Sequence, residues 1–464
     1  MIAYFFPPEG NAGSYRPLRF VRHLATLGWR TSVISAEPYR YERYDPDLVR
    51  EVPKDTEIIR VRGRDPWLAL QARRIQRTQE ILSAASMESV EKLRTAQHRP
   101  FRSQIREIVR TAEALHYRPD MAKPWIRPAT KAAINLCKRE QADVIWATAG
   151  PVSAWVVARQ VWQQTGIPYV LDLRDPHGLN YYESDNRRPE WASRKVKRDM
   201  CQLFKGARAI AFLFDTVAEY YFRAFPGAID PAKVHIIPNG YDGTIEDTAS
   251  PTGNKFTVLY TGTIATYRYD TFLHALSLLK KSDPAKAQSF HFKFVGEDME
   301  DLAKKAATLG LSDIVETSGP TSYAEITRLQ RKTHAFLVLG RPSTIKGHEL
   351  VAGAKLFNYL KIRRPILGVV PGDETRKILN GLGMSTVADV DSPTDIVNLL
   401  KRVERIWSAG AIKSLVPDRS KCESYSAEYQ TKALIRALTG VPAATPFIVG
   451  RTEIPLSLQE TCHT

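Results

Sequence analysis

The chain has 464 residues, more than one ordinary core holds, and its 43% hydrophobic and 25% charged content is that of a soluble globular protein, not of a disordered or fibrous one. No apolar run reaches the roughly 18 residues that span a bilayer, and the start, MIAYFFPPEGNAG, lacks the basic region of a secretory signal. The formal net charge is +16, and residues 60–131 hold sixteen Lys/Arg against seven Asp/Glu, a local excess of +9; such a segment favours a polyanionic partner, although a solvated helical insertion is the plainer reading.

In chain order, residues 2–6, 31–35 and 57–61 read as strands, and 17–27 as the first helix. Leu18, Val21, Leu24 and Leu27 share a face of that helix, and Gly28 is placed to end it. From about 65 to 119 the rhythm breaks into Arg-rich helical patches without a strand. It resumes with strands at 143–147, 169–172, 209–214 and 235–237. After the turn Pro238-Asn239-Gly240, the polar stretch 242–254 reads as a linker. A second cycle follows, with strands at 257–261, 290–295, 314–317, 335–339, 366–370 and 386–390. Helices are expected between them at 270–281, 299–309, 323–331, 354–362, 374–382 and 393–407, and one more at 423–438. Mostly apolar strands alternating with helices indicate parallel sheets covered on both faces. The expected architecture is α/β: two doubly wound, Rossmann-like domains facing a cleft. Their bounds are 1–245, with a basic helical insertion near 65–130, and 255–420; a helix at 421–440 crosses back to the first domain, and 441–464 is a tail. Cys137, Cys201, Cys422 and Cys462 are scattered and form no CxxC pair, which argues for a reducing compartment and against a zinc knuckle or a disulfide scaffold.

In open α/β sheets ligands sit beyond the carboxyl ends of the strands, so the loops there are the candidates. The first, Pro7 to Ser14, contains Gly10 and Gly13; glycines let backbone N–H groups approach an anion at a helix start, and a tight turn is the plainer reading. The second, Leu171-Asp172-Leu173-Arg174-Asp175-Pro176-His177, gathers ionisable groups at a strand end. There Asp175 or His177 suits an acceptor hydroxyl and Arg174 an anion; a salt-bridged turn is the alternative. The third, Tyr260-Thr261-Gly262-Thr263 with Arg268 shortly after, suits a diphosphate. In the fourth, His348 to Leu360, Glu349, Lys355 and Asn358 are the polar candidates, and Lys355 and Asn358 share a helical face. Leu356, Phe357 and Leu360 read as core. HExxH, GxSxG and paired CxxC motifs are absent.

Together these segments resemble the family 4 retaining glycosyltransferases of GT-B fold, in particular the bacterial polysaccharide-assembly branch. The resemblance is carried by YFFPPEGNAGSYRPLRFVRHLATLGW (Tyr4–Trp29), DVIWATAGP (Asp143–Pro151), PYVLDLRDP (Pro168–Pro176), IIPNGYD (Ile236–Asp242), LYTGT (Leu259–Thr263) and GAKLFNYLKIRRPIL (Gly353–Leu367), in the family's order and spacing. It implies transfer of a sugar from a nucleoside diphosphate sugar, with retention, to a glycan or lipid-linked glycan acceptor. The donor is a substrate, and neither cofactor nor metal is implied. The first domain would hold the acceptor and the second the donor. Gly10, Gly13, Gly262, Thr263, Arg268, Glu349, Lys355 and Asn358 would be donor contacts, with Arg174, Asp175 and His177 near the reacting sugar. The enzyme would be cytoplasmic; the basic insertion, with Trp67, Leu68, Leu70 and Ile75, suits peripheral attachment to the anionic inner face of a membrane.

The sequence departs from the family where many members carry two Glu separated by seven residues. Asn358 stands at the second position, and Leu350 at the first, with Glu349 one residue away. Thr263 stands where many members have Arg. A non-catalytic scaffold of the same fold is therefore the main alternative. An NAD-dependent oxidoreductase is disfavoured because no GxGxxG follows the first strand. Nucleic-acid binding is disfavoured because the basic segment lacks interleaved aromatics and any recognised motif.

Overall fold

A computed structural model describes residues 1–37, 41, 43–63, 119–174, 190–247, 251, 253–341, 352–372, 374–445 and 447. Residues 64–118 of the basic insertion, and with them its expected lipid-facing residues, lie outside the described residues, as does most of the 441–464 tail. The chain divides into two compact units. One comprises Met1–Phe212, Glu219–His235 and the chain from Ile435; the other comprises Leu213–Ala218 and Ile236–Leu434.

The first unit is built on seven strands: β1 (Ile2–Ala3), β2 (Val33–Ala36), β3 (Ile58–Val61), β4 (Ile145–Thr148), β5 (Tyr169–Leu173), β6 (Ala209–Phe212) and β7 (Val234–Ile236). Their order is β3-β2-β1-β4-β5-β6-β7. Ile2 pairs with Ile34 on one side and Ala147 on the other; Ala147 pairs with Leu171, and Leu171 with Ile210, all in parallel. These side chains are buried, as a parallel sheet with both faces covered requires. The helix Ala12–Thr26 begins five residues before the expected 17, because Asn11 caps it with Oδ1 accepting from Gly13 N at 2.9 Å. The helix Lys123–Glu140 was not anticipated; Pro124 and Pro128 break its sequence pattern, yet Pro124 falls in the first turn, where proline is tolerated, and Pro128 is accommodated inside the helix.

The second unit carries β8 (Phe256–Thr261), β9 (Phe290–Val295), β10 (Val315–Ser318), β11 (Ala335–Leu339), β12 (Ile366–Val369) and β13 (Val387–Ala388), in the order β10-β9-β8-β11-β12-β13. Its core is aromatic: Phe256, Phe272, Phe290, Phe292 and Phe294 are fully buried, with Phe272 edge-on to Phe292 at 5.2 Å. The start of the polar stretch expected as a linker is held on this unit. Glu246 N donates to Lys361 O at 2.8 Å, Arg331 forks onto the Glu246 carboxylate, and Asp247 pairs with Arg363 and Arg419. The helix expected at 423–438 is two, Arg419–Glu423 and Ala427–Thr439. Tyr241 splits them by bridging between, its N donating to Tyr425 O at 3.1 Å and its O accepting from Ala427 N at 2.8 Å. Cys137 and Cys422 are buried free thiols, whereas Cys201 is disulfide-bonded, which the reading of the cysteines as reduced did not anticipate.

The first unit's layers are joined by one buried ion pair. Arg16, on the first helix, meets Asp172 of β5 with Nη2 2.7 Å from Oδ1 and Nε 3.1 Å from Oδ2, and Thr148 Oγ1 of β4 donates to Oδ2 at 2.8 Å. The two charged side chains are 4% and 1% exposed. Removing one partner leaves the other charge buried and unpaired, at a cost of about 3–5 kcal/mol. Asp172→Ala is therefore expected to lower the unfolding free energy by about that amount in urea titrations; a loss below about 1 kcal/mol would show that the pair does not brace the fold.

Candidate anion-binding site

Strand order reverses between β1 and β4 in the first unit and between β8 and β11 in the second. Such switch points open a crevice at the carboxyl ends of the strands. In the second unit the loop after β8 carries Gly262 and Thr263, and the helix Ala354–Ile362 carries Lys355 against it. That helix is placed by Tyr359, buried and stacked on Phe336 at 4.2 Å, whose hydroxyl accepts from Thr261 N at 3.0 Å. Leu356, Phe357 and Leu360 are buried as expected.

Lys355 is half-buried in an aromatic cage. Its Nζ donates to Tyr260 Oη at 2.6 Å and to Thr263 O at 3.2 Å, and lies 4.2 Å from the Tyr260 ring centroid and 4.6 Å from that of Tyr267. Gly262 makes this approach feasible: at φ +106° it favours glycine, and a Cβ there would stand 2.5 Å from Lys355 Cε. Gly262 gives space rather than a donor, since its N–H is bonded to Val295 O at 2.8 Å. Thr263 Oγ1 donates to Glu297 Oε2 at 2.9 Å. Arg268, at the start of the helix Tyr269–Ser282, is 38% exposed and lies 3.2 Å from Asp391. Asn358 is exposed on the helix of Lys355, and Glu349 lies outside the described residues.

Among the described residues Lys355 makes no ion pair, and the sequence reading missed the cation beside it, Arg341 after β11. The rule that ligands gather at the two strands flanking the switch could have found Arg341. Burial first, and then the Arg341 charge, push the Lys355 ammonium down to about 7. The unfolded chain holds this proton until about pH 10.5. Between these values the unfolded state binds more protons than the folded one, so this group makes stability rise with pH. Lys355→Met is expected to flatten the rise in urea unfolding free energy across that window; an unchanged slope would contradict the buried-cation reading.

In the first unit Arg174 joins three loops. Pro17 has no N–H, so it leaves the Gly13 carbonyl four residues back without its helical donor. Arg174 Nη1 donates to that carbonyl, and Nη2 donates to Gly150 O, after β4, at 3.2 Å. A Cβ on Gly13 would lie 2.7 Å from Arg174 Nη2, and one on Gly150, at φ +93°, would strike the same atom. Gly10 is fastened as well, its N donating to Arg43 O at 2.7 Å. Asp175 and His177 lie outside the described residues. A cavity of about 450 Å³, lined by Leu24, Trp29, Cys137 and Trp146, opens at the amino ends of β1 and β4, away from these loops.

Residues 93–244 match the family model described as Glycosyltransferase Family 4. No curated protein sequence matches the chain. Solved structures do match. Anabaena HepE, in complex with UDP and glucose, is 12% identical, with 94% of this chain and 98% of that chain covered at a TM-score of 0.55. A glycosyltransferase from Rickettsia africae is 13% identical, with 93% and 95% covered at 0.55. WaaG, a glycosyltransferase involved in lipopolysaccharide biosynthesis, is 13% identical, with 95% and 99% covered at 0.52. At these identities the likeness is one of fold. The resemblance and the α/β class expected from the sequence both hold: the chain has the GT-B fold, and its residues 93–244 match the Glycosyltransferase Family 4 model.

Proposed function

We propose that the chain is a glycosyltransferase that moves a sugar from a nucleoside diphosphate sugar to a glycan or lipid-linked glycan acceptor in cell-surface polysaccharide biosynthesis. The observation that carries this reading is Lys355: a half-buried cation with no ion-pair partner among the described residues, at the switch point of the second unit, where an open α/β sheet takes its ligand. A diphosphate supplies the missing negative charge. Lys355 and Arg268, with Gly262 and Thr263 shaping the loop, would hold the diphosphate and stabilise it as it departs. Positive charge aimed at the leaving group does not require a metal ion, and no cofactor enters the scheme. Asn358 and Glu349 would face the nucleoside or sugar; Asn358 offers hydrogen bonds without charge. HepE is described with UDP and glucose, and WaaG with lipopolysaccharide biosynthesis, which supports the donor class and the pathway.

Gly10 and Gly13 are assigned to the donor, and Arg174, Asp175 and His177 to the neighbourhood of the reacting sugar. Arg174 acts there as a positioning residue through the Gly13 and Gly150 carbonyls. Retention of configuration rests on the resemblance to family 4. Among the described residues no helix is long and apolar enough to cross a membrane. The reading places the enzyme in the cytoplasm, with the basic insertion attaching it to an anionic membrane surface.

A thermal-shift series with UDP-, ADP-, GDP- and dTDP-sugars tests the donor assignment. A ligand at 100 times its dissociation constant stabilises by about 2.7 kcal/mol, and Lys355→Ala should abolish most of that gain. Stabilisation by none of the four would overturn the reading. Binding without sugar transfer or donor hydrolysis would favour the non-catalytic scaffold that Asn358 raises.

A further inference from the structure

Two cations meet at one aromatic ring in the second unit. The Tyr267 centroid lies 5.5 Å from the Arg341 guanidinium carbon and 4.6 Å from Lys355 Nζ. Tyr260, edge-on to Tyr267 at 6.1 Å, takes the other side of the ammonium. Arg341 follows β11 as Gly262 follows β8, and these strands flank the switch point. Their loops are tied together by Arg268 N donating to Gly340 O at 3.0 Å. Gly340 is packed too tightly for a side chain, since a Cβ there would lie 3.0 Å from Val370 Cα. The backbone that presents Arg341 is therefore fixed.

The groups that face Lys355 are the Tyr260 hydroxyl on β8, the Thr263 carbonyl after it, the Tyr267 ring, and Arg341 after β11. On the same helix, Tyr359 turns its hydroxyl to Thr261 instead. The nearby carboxylates bond elsewhere: Glu297 accepts from Thr263 Oγ1, and Asp391 pairs with Arg268. Like charges brought together in a half-buried pocket, with no acid bonded to Lys355 among the described residues, repel one another, and a bound anion would offset that repulsion. A stabilising cation–π stack would need only one of them.

We propose that Arg341 is a second donor-binding cation, that it and Lys355 form one seat for the diphosphate beside Tyr267, and that Lys355 takes up a proton from solvent as the anion binds. This rests on the donor reading above and adds to it a residue and a proton. The proton passes from water or buffer to the Lys355 amine, and the diphosphate then makes charge-assisted hydrogen bonds to both side chains. The lowered value of Lys355, about 7 in the free protein, fits a group that is partly neutral at neutral pH and charged in the complex.

Calorimetry with whichever of UDP, ADP, GDP and dTDP binds most tightly, run at about pH 7.5 in phosphate and in Tris, reads affinity and proton uptake together. The wild type should take up roughly half a proton or more per nucleotide. Lys355→Met should lose the uptake and weaken binding tenfold or more. Arg341→Met should weaken binding by roughly tenfold and reduce the uptake in part, because the Arg341 charge is the smaller of the two causes that lower Lys355 and burial remains. Arg341→Lys should recover part of both. If Arg341→Met lowers only the melting temperature and leaves affinity and uptake at wild-type values, Arg341 is a stacking residue and the proposal is overturned. Binding without proton uptake by the wild type overturns the proton step alone. No binding by any of the four nucleotides overturns the functional reading itself.

Discussion

A half-buried ammonium without a counter-charge among the described residues is the constraint on which the second unit's site depends. Burying a charge is costly unless it is paired, and among the described residues the partners of Lys355 are neutral: a tyrosine hydroxyl, a carbonyl and two ring faces. That arrangement persists because the surroundings fix it. Tyr359 pins the helix to β8, Gly262 vacates the space that the side chain crosses, and the loop after β9 is bonded to the loop after β8 through Ile264 N and Glu297 O at 3.2 Å. The residual unfavourable charge is what a diphosphate would relieve. Structure and proposed function are linked at this point: the proposed anion would meet a cation for which the described residues supply no counter-charge.

The first unit answers a different problem, how to hold glycine-bearing loops still at the ends of strands. Its solution begins with a missing hydrogen. Pro17 cannot donate to Gly13, and Arg174 takes up the released carbonyl together with that of Gly150. One guanidinium thereby joins the loops after β1, β4 and β5. Beneath it the Arg16–Asp172 pair ties the first helix to β5, with Thr148 adding β4. Arg174 and Arg16 are thus directed to backbone and to carboxylate in the free protein, and each is defined by what it positions.

Much of this was legible in the sequence, and the failures have physical causes. The thirteen strands among the described residues lie close to their expected places, because buried parallel strands are short apolar runs bounded by turns. The first helix starts early because capping by Asn11 outweighs the propensity penalty of Gly13 and Pro17. Lys123–Glu140 escaped notice because prolines near a helix start look like breakers. The break at residues 424–426 comes from a tertiary bridge to Tyr241, which no local pattern records. In the site, Lys355, Gly262 and Thr263 were found from strand-end logic, and the structure brings them together. Arg174 was singled out as an anion holder, but its backbone partners are invisible without the fold. Arg341 was missed although it follows one of the two strands that flank the switch point; the ring it shares with Lys355 is visible only in the fold.

The central claim is that Lys355 is a cation the fold leaves unsatisfied until a nucleoside diphosphate binds. Nitrogen-15 NMR of labelled lysine follows this side chain directly. The account predicts a Lys355 resonance, absent from Lys355→Met, that titrates near neutrality in the free protein and moves to clearly higher pH when the nucleotide is bound. A Lys355 that titrates in the ordinary lysine range, with no change on nucleotide addition, would contradict it.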